Sequence, residues 1–238
     1  MRHWQRIIVG VFFSIQLATT GWLAPAQEKS VNPGINKPFV KPNVGEFIGR
    51  FEREGRDSFD HRNEIVKLCQ IRPGMSVADI GAGTGLFTRM FAPLVQPNGR
   101  VFAVDISQDF LNHIEKIAKQ EGLDNITCVS CTPDSVNLPA GSIDLAFVCD
   151  TYHHFEFPQK TLQTIHQALK PGGALILIDF HRIEGKSSAW IMGHVRAGQE
   201  VFVKEVLDAG FRQVDEEKDL LKESYFVRFV KVDQRGGN

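Results

Sequence analysis

Two stretches of this sequence concentrate residues that can do chemistry. The first reads Asp79-x-Gly81-x-Gly83-x-Gly85, with Ala82 and Thr84 between the glycines. Glycines at this spacing let the chain turn sharply and let a ligand approach main-chain N–H groups. Asp105 follows 20 residues beyond Gly85. A carboxylate placed there, at the end of the next strand, can accept hydrogen bonds from both hydroxyls of a ribose. Together these features predict an adenosine-containing cofactor, and the acid before the first glycine decides which one. A dinucleotide fingerprint, G-x-G-x-x-G, seats a pyrophosphate on a helix N-terminus. Asp79 would repel a pyrophosphate but suits an ammonium group. S-adenosylmethionine carries an ammonium, a carboxylate and a sulfonium, and no phosphate. Asp79 is therefore expected to hold its amino group, directly or through water. The glycine spacing and Asp79 both oppose a nicotinamide-dependent oxidoreductase.

The second stretch is Asp150-Thr151-Tyr152-His153-His154-Phe155. Asp150 is expected to face the methionine end of the cofactor or the transferring methyl. His153 or His154 is a candidate general base, because histidine titrates near neutrality. The competing reading is that one of them caps the next helix or bonds locally. No metal site is expected, since adjacent residues rarely aim at one centre unless the backbone bends. Asp179, His181 and Arg182 fall near the same crevice. His194-Val195-Arg196-Ala197-Gly198-Gln199-Glu200 reads equally as a wall of an acceptor pocket and as a salt-bridged surface turn. Phe47 and Phe51, with Arg50 and Arg62 at the rim, could form part of a lid.

Positioning these residues requires an alternating framework, and the chain supplies one. Short apolar strands are predicted at Val77–Ile80, Val101–Asp105, Ile126–Ser130, Ile143–Cys149 and Ala174–Ile178. Helices fall between them, among them an amphipathic one through Phe110, Leu111, Ile114, Ile117 and Ala118. Strands that are apolar at nearly every position are buried on both faces, as in parallel sheets. The alternation argues for a doubly wound α/β domain with helices on both faces. Before it, helices are predicted over Asn43–Gly55 and roughly Ser58–Leu68. After it comes a helix over Glu200–Ala209, then two strands, about Phe211–Asp215 and Tyr225–Val232, read as an antiparallel pair on the sheet edge.

With the motifs and framework in place, residues 73–180 resemble the class I S-adenosylmethionine-dependent methyltransferases, in particular the small-molecule branch that includes the ubiquinone/menaquinone methyltransferases. The resemblance rests on Val77 through Gly85, on Asp105, on Leu138-Pro139-x-x-Ser142-Ile143-Asp144, and on Leu169-Lys170-Pro171-Gly172-Gly173. It implies a Rossmann-like seven-stranded sheet of order 3-2-1-4-5-7-6 with strand 7 antiparallel. It implies that Gly81, Gly83 and Gly85 line the methionine end of S-adenosylmethionine. Asp105 would bind the ribose and Ile106 would pack on the adenine. Asp134 would bind the adenine amine, with Ser135 beside it. The Lys170-Pro171-Gly172-Gly173 segment is read as a structural turn before the fifth strand. The activity implied is methyl transfer to a small-molecule acceptor. The reading set against it is an exported ligand-binding protein that keeps this fold without catalysis.

Composition narrows the remaining possibilities. The 238 residues carry 27 Lys+Arg against 28 Asp+Glu, which argues against a general nucleic-acid binder. Basic Met1–Arg6, apolar Ile7–Leu23 and Ala24-Pro25-Ala26 follow the order of a secretory signal peptide. The chain is therefore expected to be exported, with residues 1–26 as signal. Membrane contact is expected only if that segment stays uncleaved as an anchor. Residues 27–57 then form an extended lead-in and N-terminal helix, and 58–234 the methyltransferase domain. The four cysteines, Cys69, Cys128, Cys131 and Cys149, are read as small buried residues, with the C-x-x-C at 128–131 neither a redox nor a zinc motif.

Overall fold

Apolar runs become the central strands of the protein, whose computed structural model describes residues 28–232. The proposed signal segment 1–26 and the end of the predicted domain at 233–234 lie outside them. Seven strands form one sheet: β1 (Ser76–Ile80), β2 (Arg100–Asp105), β3 (Ile126–Ser130), β4 (Ile143–Cys149), β5 (Leu169–Phe180), β6 (Phe211–Glu217) and β7 (Ser224–Lys231). Their order is β3-β2-β1-β4-β5-β7-β6. The first five run parallel, and β7 lies antiparallel to both β5 and β6. This is the predicted order and sense. Strand order reverses between β1 and β4, which opens a crevice beyond their carboxyl ends.

Alternation along each strand divides the core between the two faces. Val77, Leu145, Phe147 and Ile176 meet helices α3 (Arg62–Leu68) and α4 (Leu86–Val95) through Ile65, Phe87 and Phe91. Ala78, Ala146, Val148 and Leu177 meet α6 (Pro158–Ala168) and α8 (Gln199–Asp208) through Leu162, Ile165 and Phe202. Truncating one of these aromatics to alanine costs about 3–5 kcal/mol. Helix α5 (Gln108–Glu121) buries Phe110, Leu111, Ile114 and Ala118 and stops at Gly122, which takes the left-handed conformation.

The N-terminal elements differ in detail from the sequence reading. Helix α1 (Val44–Phe51) is shorter than predicted and starts at Asn43, whose side chain accepts from Glu46 N–H and donates to the Glu46 carboxylate. The predicted second helix is split into α2 (Asp57–Asp60) and α3, because His61 leaves helical geometry at ψ 17°. The lead-in is docked: Val31 N–H bonds Glu156 O, and a 3₁₀ turn spans Lys37–Phe39. Strand β5 begins at Leu169 and runs through the Lys170–Gly173 segment predicted as a turn, with a register shift against β4 between Ile143 and Leu145. Helix α7 (Ala189–His194) follows β5. Among the described residues, no helix is long and apolar enough to cross a membrane.

Candidate active site

Four neighbouring strands each place a carboxylate at their carboxyl ends: Asp105 on β2, Asp79 on β1, Asp150 just after β4 and Asp179 on β5. All are buried, and each is satisfied differently. Asp105 accepts from Gly83 N–H and Ser107 N–H, both at 2.8 Å. Burial raises its pKa, and these backbone donors oppose the rise. Asp79 accepts from Thr88 Oγ1 at 2.6 Å. Burial pushes it up to about 7, against the pull of Thr88 and with a further push from Asp105. Asp150 accepts from Arg56 at 2.7 Å and Ser58 at 2.9 Å through one oxygen, while the other has no partner. Asp179 is bound to His153.

Asp79, Asp105 and Asp150 line a cavity of about 570 Å³, a size typical of small-ligand sites, and Asp179 lies behind it, against His153. Its floor is the turn after β1. Gly81 has φ +75°, and a Cβ there would collide with Thr151, so the turn packs against the chain after β4. A Cβ on Gly83 would lie 3.4 Å from Phe51 and 3.9 Å from Gly81 O, and the Gly83 N–H is donated to Asp105. Gly81, Ala82, Gly83 and Thr84 line the cavity, together with Asp79, Asp105 and Ile106. Gly85 is placed elsewhere: it caps α4 and a Cβ would press on Ile114 at 2.8 Å. Ser135 lines the cavity with Thr132 and Pro133. Asp134 is outside that lining, accepting from Thr132 Oγ1 and lying 4.0 Å from Lys160.

The residue set fits S-adenosylmethionine. Asp79 and Asp105 offer acceptors to an ammonium and to ribose hydroxyls. Each Asp105 oxygen is engaged by one N–H and retains a second lone-pair site. No lysine lines the cavity, and Arg56, one of its three arginines, is already paired with Asp150.

The other end of the cavity is built of histidine and aromatic rings. The 3₁₀ turn Tyr152–His154 bends the backbone after β4, so the adjacent His153 and His154 converge despite their adjacency. His153 Nδ1 lies 2.8 and 3.1 Å from the Asp179 oxygens, and its backbone N–H donates to the same carboxylate at 3.0 Å. The carboxylate partner fixes the ring with Nδ1 toward Asp179 and Nε2 on the opposite side. His194, on α7, approaches from the far side, with its Nε2 3.3 Å from His154 Nε2. Burial, followed by His153 and His194, holds the His154 pKa down to about 2, so His154 stays neutral. Trp190 stacks on His194 at 4.7 Å, and Phe39 meets His154 edge-on at 5.0 Å.

Phe47 and Phe51 pack with Phe39 and Phe110 over the cavity, and Arg50 lines it. Arg62 instead covers Phe59. Arg56 ties this cover to the sheet: it bonds Phe51 O as well as Asp150. The 194–200 segment divides between its two readings. His194 enters the cavity, while Arg196 pairs with Glu205 at 2.6 Å. His181 packs on Tyr225 and Arg182 bonds Met192 O. The four cysteines are unpaired, and burial pushes Cys131, on the cavity wall, up to about 12 and Cys128 up to about 11.

Sequence reasoning did not find Arg56, Ser58, Thr88, Phe39 or Trp190 as parts of the site. No local signal marks them, because each reaches it only through tertiary contact.

Comparison with known proteins agrees with the geometry. Residues 77–173 match the methyltransferase domain family. A ubiquinone/menaquinone biosynthesis C-methyltransferase from Hydrogenovibrio crunogenus is 28% identical over 123 residues, covering 51% of this chain and 48% of the relative. Its counterpart from Bordetella parapertussis is 32% identical over 118 residues, covering 50% and 45%. The chain thus spans about half the length of these curated relatives. The fold is shared with an S-adenosylmethionine-dependent methyltransferase from Aquifex aeolicus, at a TM-score of 0.70 and 24% identity, covering 81% of this chain and all of that one. Residues 77–173 thus carry a methyltransferase domain, and the sheet order and carboxylate–glycine turn are those of the class I S-adenosylmethionine-dependent methyltransferase fold.

Proposed function

We propose that this chain transfers the methyl group of S-adenosylmethionine to a small-molecule acceptor by in-line displacement. The observation that carries this reading is the two-ended cavity: carboxylates and a glycine turn at one end, histidines and aromatic rings at the other. Bound cofactor supplies an electrophilic methyl on a sulfonium. The work of the chain is to orient it, hold the acceptor about 3 Å from the methyl carbon and exclude water. Asp79 holds the ammonium and Asp105 the ribose. The cover of Phe39, Phe47 and Phe51 closes the site, with Arg56 and Asp150 as its latch. The acceptor docks against His153, His154 and His194.

The test is transfer of labelled methyl to a panel of quinols, phenols, thiols and metalloids. Label in product, abolished by His153→Ala and His154→Ala with cofactor affinity retained, is the expected result. Cofactor binding without transfer to any acceptor would favour a binding protein instead. We further propose that the chain is exported by its N-terminal segment and cut near Ala26, on the basic–apolar–small order of residues 1–26. An intact mass beginning beyond Ala26 in material from the native host checks this.

A further inference from the structure

We propose that His153, His154 and His194 form a binding site for a divalent cation of the zinc class, with one coordination position open to the cavity. The ligand atoms of these three residues all lie within 4.8 Å of one another. The spacing of two of them is already that of a metal site. Nitrogens bound at 2.0–2.1 Å in tetrahedral geometry sit about 3.3 Å apart, and His154 Nε2 and His194 Nε2 are 3.3 Å apart.

The third ligand has the support that metal-bound histidines need. Asp179 is wholly buried and accepts a hydrogen bond from His153 Nδ1–H, leaving Nε2 for the metal. A carboxylate behind a ligating imidazole fixes its tautomer and orientation and raises its basicity. The Asp179 charge also offsets part of the cation's charge. A simple base–carboxylate pair would account for His153 and Asp179. It would not account for two further imidazoles meeting it from a 3₁₀ turn and from α7.

Three protein ligands on a cavity wall describe a site with a vacant fourth position, which is the pattern of catalytic zinc and not of structural zinc. The histidines line the same cavity as Asp79 and Asp105. The open position therefore takes the ionisable oxygen or sulfur of the acceptor, and this step rests on the methyltransferase reading. Coordination would release the acceptor proton to solvent. The resulting anion would attack the methyl carbon, forming the new O–C or S–C bond. The old C–S bond would break with its electron pair on the sulfonium sulfur.

The experiment titrates Zn2+ into chelator-treated full chain by calorimetry and records the visible spectrum of the Co2+ form. Cofactor binding is measured separately on the same preparations. One equivalent of metal and an intense four-coordinate Co2+ spectrum are expected. His194→Ala, on a partly buried residue, should abolish both while leaving the circular dichroism unchanged. Asp179→Asn should weaken metal binding about 10–100-fold. Absence of a stoichiometric site in the wild type, or an unchanged affinity in His194→Ala, overturns the proposal. Cofactor binding without metal would refute this inference alone. Metal binding without cofactor binding would refute the methyltransferase reading and leave the site standing.

Discussion

Asp79 couples cofactor chemistry to the stability of the fold. Burial raises its pKa from 3.8 to about 7. A carboxyl that is easier to protonate when folded stabilises the native state most below its unfolded value. That contribution is lost as pH rises toward the folded value. The full loss is on the order of 4 kcal/mol, and an ammonium beside Asp79 would recover part of it. Asp79→Asn removes the titration and keeps the shape. Thermal melts of the two free proteins should therefore diverge from pH 4 to pH 7, with the variant gaining relative to wild type, and run parallel above. Calorimetry near pH 7 in buffers of different ionisation enthalpy should show wild type releasing a fraction of a proton on binding S-adenosylmethionine. Asp79→Asn should release none and bind more weakly. A constant difference between the melts would show that Asp79 is already ionised in the free protein.

Among the elements, the N-terminal segment is tied to the rest of the domain by a few polar contacts, Asn36 to His154 O, Glu52 to Arg89 and Arg56 to Asp150. Its aromatic side chains Phe39, Phe47 and Phe51 cover the cavity, and Arg56 fastens them to the sheet through Asp150. Asp150 holds a left-handed backbone conformation, φ +49°, which aspartate adopts more readily than most non-glycine residues. Arg56→Ala would leave this carboxylate buried with Ser58 alone, at a cost of about 3 kcal/mol. Hydrogen exchange should rise across residues 37–60 and stay low in β1 and β4. Asp150→Asn in the same chain should restore part of the urea stability. The framework strands were legible in the sequence because a strand buried on both faces must be apolar throughout, as Ile143–Cys149 nearly is. The latch was not: Arg56 and Asp150 are 94 positions apart, and nothing near Arg56 distinguishes it from a solvated arginine. His194 was ambiguous for the same reason, since its role depends on α7 folding back over the end of β4.

At the scale of the molecule, the sheet separates donor from acceptor. Asp105 and the glycine turn lie on the β2–β1 side of the strand-order reversal, and Asp179 and the histidines on the β4–β5 side. Helices α4 and α5 pack on the β1–β3 side and α6 and α8 on the β5–β6 side, so a change at one end need not disturb the other. Substitutions should accordingly fall into two kinetic classes. Asp105→Ala removes the ribose acceptor and the tie to Gly83 N–H, and should raise the KM for cofactor at least tenfold. Phe39→Ala and Trp190→Ala remove walls that touch His154 and His194 but no cofactor-binding group. They should change the acceptor KM and the range of acceptors methylated, with cofactor affinity within about twofold of wild type. Trp190 is 52% exposed, so its loss is expected to leave stability nearly unchanged and make the acceptor readout direct. A Trp190→Ala protein that loses cofactor affinity as well would mean that the two ends act as one unit, and that the separation drawn by the strand order is not functional.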